Sequence, residues 1–243
     1  MIHVIDRIRP VCYRKGEEKN MSRLAAVKRK HPRLCGFLFA LNNGLQRHGK
    51  LYPERKNSFS CKGLLQNLHI RIKGENNSIC IEECARLKNC RIYINGSNNR
   101  IVIHSSCMLI DTELYLEDDY GLIEIGSGTQ ICGKTQLALI EGCTIRIGEN
   151  CLFSSEIMLR TGDSHSILDM DGKRINPSQS IVLGDHVWVG NRVSILKGTM
   201  IADDTIIGTG SIVTKSFPEG HCAIAGNPAK MIKNDINWDY LRR

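Results

Sequence analysis

Rings are scarce in this sequence. Phe, Trp and Tyr together make up 5% of its 243 residues, fewer than the packed core of a globular α/β enzyme ordinarily carries. A narrow interior built of repeated small rungs suits such a chain better. Long apolar runs are missing as well. The longest apolar stretch near the N-terminus, Leu34 to Leu45, is too short to cross a bilayer. The first residues, MIHVIDRIRP, lack the apolar region of a secretory signal, so a cytoplasmic protein is expected. The 11 cysteines include no C-x-x-C pair and are odd in number, which argues for reduced thiols over a disulfide framework. Cys84, Cys90, Cys143 and Cys151 are expected to point inward as small apolar residues. Acidic residues are scarce at one end only. Residues 1–62 hold 15 Lys and Arg against 4 Asp and Glu, whereas residues 63–243 hold 18 against 21. The basic character therefore belongs to the N-terminal quarter, where it suits an anionic polymer or membrane surface, and equally a solvated helical face. No nucleic-acid motif or interleaved aromatics accompany it, so nucleic acid is not expected.

What is present is repetition. Residues 1–62 read as a separate basic extension, partly helical, with Leu34, Phe37, Leu38 and Leu41 on one face after Pro32 and Asn42-Asn43-Gly44 as the stop. From residue 70, IRIKGENNSICI at 70–81 returns as IYINGSNNRIVI at 92–103 and more loosely at 114–125, an offset of 22 residues. Ile70, Ile92 and Leu114 align, as do Ile79, Ile101 and Ile123. The Gly-x-Asn-Asn segments between the apolar pairs are turn chemistry, because Gly and Asn tolerate positive φ. The period then tightens to six: Leu183, Val189, Ile195, Ile201, Ile207 and Val213, each followed four residues later by Val187, Val193, Thr199, Thr205, Ser211 and Phe217. Positions six apart share no face of an α-helix. On a strand, one aliphatic and one small inward residue per six make one side of a triangular coil. The expectation is an all-β parallel β-helix over residues 63–233, interrupted by one excursion loop at 160–182 and followed by a tail at 234–243.

Residues 181–233, IVLGDHVWVGNRVSILKGTMIADDTIIGTGSIVTKSFPEGHCAIAGNPAKMIK, resemble the C-terminal part of the hexapeptide-repeat acyltransferases. The G-D-x-x-W-V-G, V-T-K and A-G-N-P-A-K segments occur in order. That resemblance implies a left-handed coil, a homotrimer with active sites between subunits, and acetyl-CoA as donor. T-G-D-S-H-S-I followed by G-D-H-V-W-V-G is most similar to the O-acetyltransferases of bacterial surface polysaccharides, those of capsular polysialic acid above all. It implies His165 as general base and Trp188 as a second functional residue. Relatives acting on galactosides and maltose carry His-Pro at the base, where this chain has His165-Ser166, which argues against a small free sugar as acceptor.

The chemistry fits these residue types. Acyl transfer to a hydroxyl needs a base, and an imidazole can take the proton and return it to the departing thiolate. Asp163, or a carboxylate from elsewhere, is a candidate to hold the imidazole tautomer, and Arg160 and Asp163 are candidates to touch the acceptor. By the resemblance, Lys215 and Lys230 lie near the nucleotide of coenzyme A. Gly190, Gly208 and Thr209 would let backbone amides approach the pantetheine arm, although the glycines read equally well as turn corners. Trp188 precedes an inward residue and so should project outward, against substrate or a subunit interface. His165, His186 and His221 lack the spacing of a three-histidine zinc site, so no metal is expected. Two alternatives remain beside O-acetylation of a sugar hydroxyl. One is N-acetylation of an amino-sugar nucleotide; the other is a non-catalytic solenoid that binds polyanions.

Overall fold

The structure, a computed structural model, describes residues 56–241 together with Asn43. The helix expected at Leu34–Leu41 lies outside the described residues. Asn43 is itself helical and meets the coil: it donates to the Gly63 carbonyl at 3.0 Å and accepts from the Leu65 amide at 3.1 Å.

The described residues form 23 strands in three sheets of seven, nine and seven. All the pairings are parallel except that between the last two strands, Ala223–Gly226 and Ala229–Lys233, which form an antiparallel hairpin. Each turn contributes one strand to each sheet, giving the expected triangular coil of seven turns. It starts earlier than expected, because Ser58–Cys61 already pairs with Ser78–Ile81. The strand that begins at Ser58 therefore belongs to the coil and not to the N-terminal extension.

Two pitches share this scaffold. Ile79, Ile101, Ile123 and Ile145 stack at 22-residue steps, and Leu183 and Ile201 stack at 18. The extra residues lengthen the third side, which buries two aliphatics per turn, as with Ile92 and Ile94. The corner that follows is closed by asparagines. Asn76 and Asn98 adopt φ of 58° and 60°. Their neighbours Asn77 and Asn99 are buried, and each side-chain oxygen accepts an amide of the next turn, Asn99 at 2.9 Å and Gly121 at 2.7 Å. In the 18-residue turns the three hydroxyl residues at the small hexad positions do comparable work. Thr199, Thr205 and Ser211 are fully buried, and each hydroxyl donates to the carbonyl three residues back at 2.6–2.8 Å. The six aliphatic hexad positions are all at most 3% exposed, and full burial of such a side chain stabilises by about 1.5–3 kcal/mol.

Cys90, Cys143 and Cys151 are buried thiols, as expected of inward positions. Burial pushes Cys90 and Cys151 up to about 12, which makes them poor nucleophiles. Cys84 differs: it occupies a corner with φ of 64° and is half-exposed.

Candidate active site

The coil is interrupted once. Strand Ile157–Arg160 ends the third side of the fifth turn, and strand Ile181–Leu183 opens the first side of the sixth. Paired residues across this break are 36 apart, as in Ile145 with Ile181, twice the step of the following turn. The excursion is thus 161–180, slightly tighter than 160–182, and Arg160 belongs to a strand.

The excursion is a braced hairpin. Leu168 and Arg174 bridge antiparallel, and the Ile175 amide donates to the Ile167 carbonyl at 2.9 Å. At the tip, Asp169 accepts the amides of Asp171 and Lys173 at 3.0 and 2.8 Å, and Gly172 supplies a φ of 78°. Two ion pairs tie the hairpin to the coil, one on each side. Arg174 meets Glu141 of the turn before at 2.6 Å, and Asp163 meets Lys197 of the turn after. Arg174, helped by the Ser178 amide, holds the Glu141 carboxyl down at about 2. Lys197, and then Asn176, lower Asp163.

At the centre is Asn176, only 6% exposed. Its amide nitrogen donates to the Asp163 carboxylate and to the His165 carbonyl, both at 2.8 Å. Its oxygen accepts from the Ile167 amide at 2.7 Å and from Arg174 at 3.3 Å. His165 is therefore fixed through its main chain, while its ring is exposed and hydrogen-bonds to none of the described residues. Asp163 does not orient the imidazole. Its carboxylate is engaged by Lys197 and Asn176, so its place is in bracing the loop. Arg160 donates to the Ser164 hydroxyl at 2.9 Å, next to His165.

Trp188 projects outward as expected, 38% exposed at the start of strand Trp188–Val189 on the second side. The first side of the turn separates it from the base of the hairpin, and no hydrogen bond or ring contact joins it to His165 among the described residues. Its ring partner is Trp238 in the tail, 5.9 Å away and tilted by 42°. The tail is bound to the coil by aromatics. Trp238 stacks on His186 at 4.1 Å and 10°, donates to the His186 carbonyl at 2.7 Å, and lies 4.8 Å from Tyr240. His186 stands at a corner with φ of 54° and pairs with Asp204 at 2.7 Å.

The residues expected around coenzyme A divide between two corners. Gly190 and Gly208 stack on consecutive turns, and Lys230 pairs with Ala225 in the strand beside them. The two glycines do not offer amides to a ligand. Gly190 donates to the Ile207 carbonyl and Gly208 to the Ile224 carbonyl, both at 2.8 Å. They are glycines because a Cβ at 190 would come within 2.8 Å of the Thr209 nitrogen, and one at 208 within 2.9 Å of the Ala225 Cβ. The Thr209 amide is the one of the three without an acceptor among the described residues. Lys215 belongs to the next corner, two residues beyond Val213 as Lys197 is beyond Ile195, with its ammonium 5.4 Å from the Phe217 ring. Among the described residues no group of three or more His, Cys, Asp or Glu is arranged to hold a metal ion.

Residues 180–215 match the family described as bacterial transferase hexapeptide (six repeats). The crystal structure of the polySia specific acetyltransferase NeuO superposes with a TM-score of 0.70 at 35% identity, covering 75% of this chain and 84% of that one. The chain belongs to the hexapeptide-repeat acyltransferases. With that membership comes the left-handed sense of the coil. The polysialic acid O-acetyltransferase OatWY superposes with a TM-score of 0.67 at 29% identity, covering 75% of this chain and 87% of that one. The polysialic acid O-acetyltransferase of Escherichia coli O1:K1 / APEC is 38% identical over 115 residues, which are 47% of this chain and 35% of that protein. The chain thus spans about a third of the length of this curated relative.

Three parts of the site carry no periodic signal and were missed in the sequence: Asn176, Lys197 and Trp238. Asn176 reaches Ile167, His165 and Asp163 across 9 to 13 residues of an aperiodic loop, and Lys197 reaches Asp163 from the coil across 34.

Proposed function

We propose that this chain is an acetyl-CoA-dependent O-acetyltransferase acting on a sugar hydroxyl of a bacterial surface polysaccharide or its precursor, with His165 as general base. The observation that carries the reading is an imidazole left unbonded and solvent-facing on a hairpin that is otherwise saturated with braces. The ring nitrogen takes the proton of the acceptor hydroxyl as its oxygen attacks the thioester carbonyl. The tetrahedral intermediate collapses, the carbon–sulfur bond breaks, and the imidazolium returns the proton to the thiolate. Acetyl ester and free coenzyme A result. Similarity to proteins named as polysialic acid O-acetyltransferases favours a hydroxyl over an amine and an anionic glycan over a small neutral sugar.

Coenzyme A fits the corner of Gly190, Gly208, Thr209 and Lys230 through the Thr209 amide and the Lys230 charge, with Lys215 on the neighbouring corner. The working unit in this reading is a homotrimer. His165 and Trp188 stand on opposite edges of one side of the coil, and a second copy packed against the first is what brings the two into one site. The test is His165→Ala: turnover should fall by about 10²–10⁴-fold, with coenzyme A binding and oligomeric state preserved. Ordinary turnover in that variant would sink the proposal.

A further inference from the structure

The outward face of the third sheet carries a feature that acetyl transfer does not use. Strand register stacks Arg71, Tyr93, Tyr115, Ala138 and Arg160 in one column, one residue per turn. With turns about 4.8 Å apart, four steps extend about 19 Å along the coil axis. The flanking columns add Arg91 on one side and Lys73 on the other. Arg71, Lys73 and Arg91 are exposed, and Tyr93, Tyr115 and Arg160 are half-buried.

The coil does not require this row. Its core is made by the inward alternates Ile92, Ile94, Leu114 and Leu116, and a cross-strand aromatic pair adds little beside them. Two of only six tyrosines are nevertheless stacked on one exposed face. The carboxylates nearby are already engaged. Glu113 accepts from Gln136 at 2.7 Å and faces Arg91 at 4.0 Å, and Glu117 accepts from the Tyr115 hydroxyl at 3.1 Å. Neither the Gln136 amide nor the Tyr115 hydroxyl neutralises a carboxylate, but Arg71, Lys73 and Arg160 pair with no acid among the described residues, so the four cations Arg71, Lys73, Arg91 and Arg160 outnumber Glu113 and Glu117 and leave these columns net positive. The column also has a direction. It ends at Arg160, which hydrogen-bonds Ser164 beside His165.

We propose that this stripe is an extended acceptor track, which binds a carboxylate-bearing oligosaccharide along the coil axis and leads it to the hairpin. Guanidinium forks match carboxylates in two-point geometry, and tyrosine faces offer apolar area to sugar rings while their hydroxyls stay wet. Several weak contacts along one chain favour a long ligand over a short one. The proposal rests on the acetyl-transfer reading only for what happens at the end of the track, and its test does not read turnover.

The full chain is titrated with a short and a long sialic acid oligomer, a neutral maltooligosaccharide as long as the longer one, and a single-stranded oligonucleotide of matched charge. The long sialic acid oligomer should bind more tightly than the short one, and the neutral chain should not bind. Arg71→Glu, and separately the pair Tyr93→Thr with Tyr115→Thr, should each weaken the long oligomer by about tenfold or more. Arg71→Gln replaces the Glu variant if the latter melts early. Unchanged affinity in these variants, equal affinity for the neutral chain, or tighter binding of the oligonucleotide through the same residues would each overturn the track. Absence of acetyl transfer with binding intact would instead count against the proposed function alone.

Discussion

The side-chain amide of Asn176 donates to the main-chain carbonyl of His165 at 2.8 Å. This bond places the candidate base without occupying its ring, and the other amide hydrogen holds Asp163. In the proposed reading the placement of the base depends on a residue that need never touch substrate. Asn176→Ala should lower kcat by about 10²-fold, the scale of a misplacement of about 1 Å, while KM for acetyl-CoA changes little. Asn176→Asp should be worse, because it sets a second carboxylate against Asp163. Amide exchange at Ile167 and Ile175 provides the check that separates positioning from chemistry: it should quicken in both Asn176 variants and stay slow in His165→Ala.

Glu141 gives the hairpin an acid limit. Its carboxyl is held at about 2 by Arg174, well below the ordinary 4.5. A carboxyl depressed in the folded state contributes stability that is fully present above its unfolded value and is lost as pH falls through the folded one. The window is therefore about pH 4.5 down to about 2. Asp163, also lowered, acts in the same direction through Lys197. Limited proteolysis at the hairpin should stay slow until pH drops below 4.5 and then accelerate. Glu141→Gln should remove most of that dependence and leave cleavage faster at neutral pH.

The coil was legible because its constraint recurs. An inward residue every six positions leaves a pattern even when its neighbours vary, and the predicted stacks Ile70–Ile92–Leu114 and Ile79–Ile101–Ile123 are the observed registers. The Asn-Asn corners were legible for the same reason. For the candidate site the sequence offers His165 and Trp188 through resemblance alone, and their roles belong to the proposal. Asn176, Lys197 and Trp238 act once each, at contacts set by three-dimensional placement, and a single-use contact leaves no period. Gly190 and Gly208 show the opposite failure. Their glycine identity was plain, but whether a ligand or the next turn demands it depends on where the amides point.

The packing argument for those glycines is testable. Gly190→Ala puts a methyl within 2.8 Å of the Thr209 nitrogen and 2.9 Å of the Ile207 oxygen, both backbone atoms that cannot swing away. It should destabilise the chain by about 1–3 kcal/mol, the usual cost of overpacking, and lower the melting temperature without first abolishing coenzyme A binding. Gly210→Ala is the contrasting control. Nothing lies within 4 Å of its Cβ, so any cost there comes from its φ of 73° alone.

Trp238 joins the tail to the coil by three contacts: the stack on His186, the bond from its indole nitrogen to the His186 carbonyl, and the tilted contact with Trp188. Tyr240 adds a bond to the Asn150 carbonyl at 2.7 Å. Trp238→Ala should cost about 3 kcal/mol or more, the scale of removing a buried tryptophan. Trp238→Phe keeps a ring over His186 and forfeits the indole bond, so it should cost about 1 kcal/mol. Denaturant melts would give both values. The sequence has only two tryptophans, so Trp238→Phe also leaves Trp188 as the sole indole reporter. In that background, deleting residues 239–243 should leave Trp188 emission nearly unchanged, whereas deleting 234–243 should shift it to the red as its cover is lost. Identical spectra for the two deletions would show that the ring at position 238 does not hold the tail over Trp188.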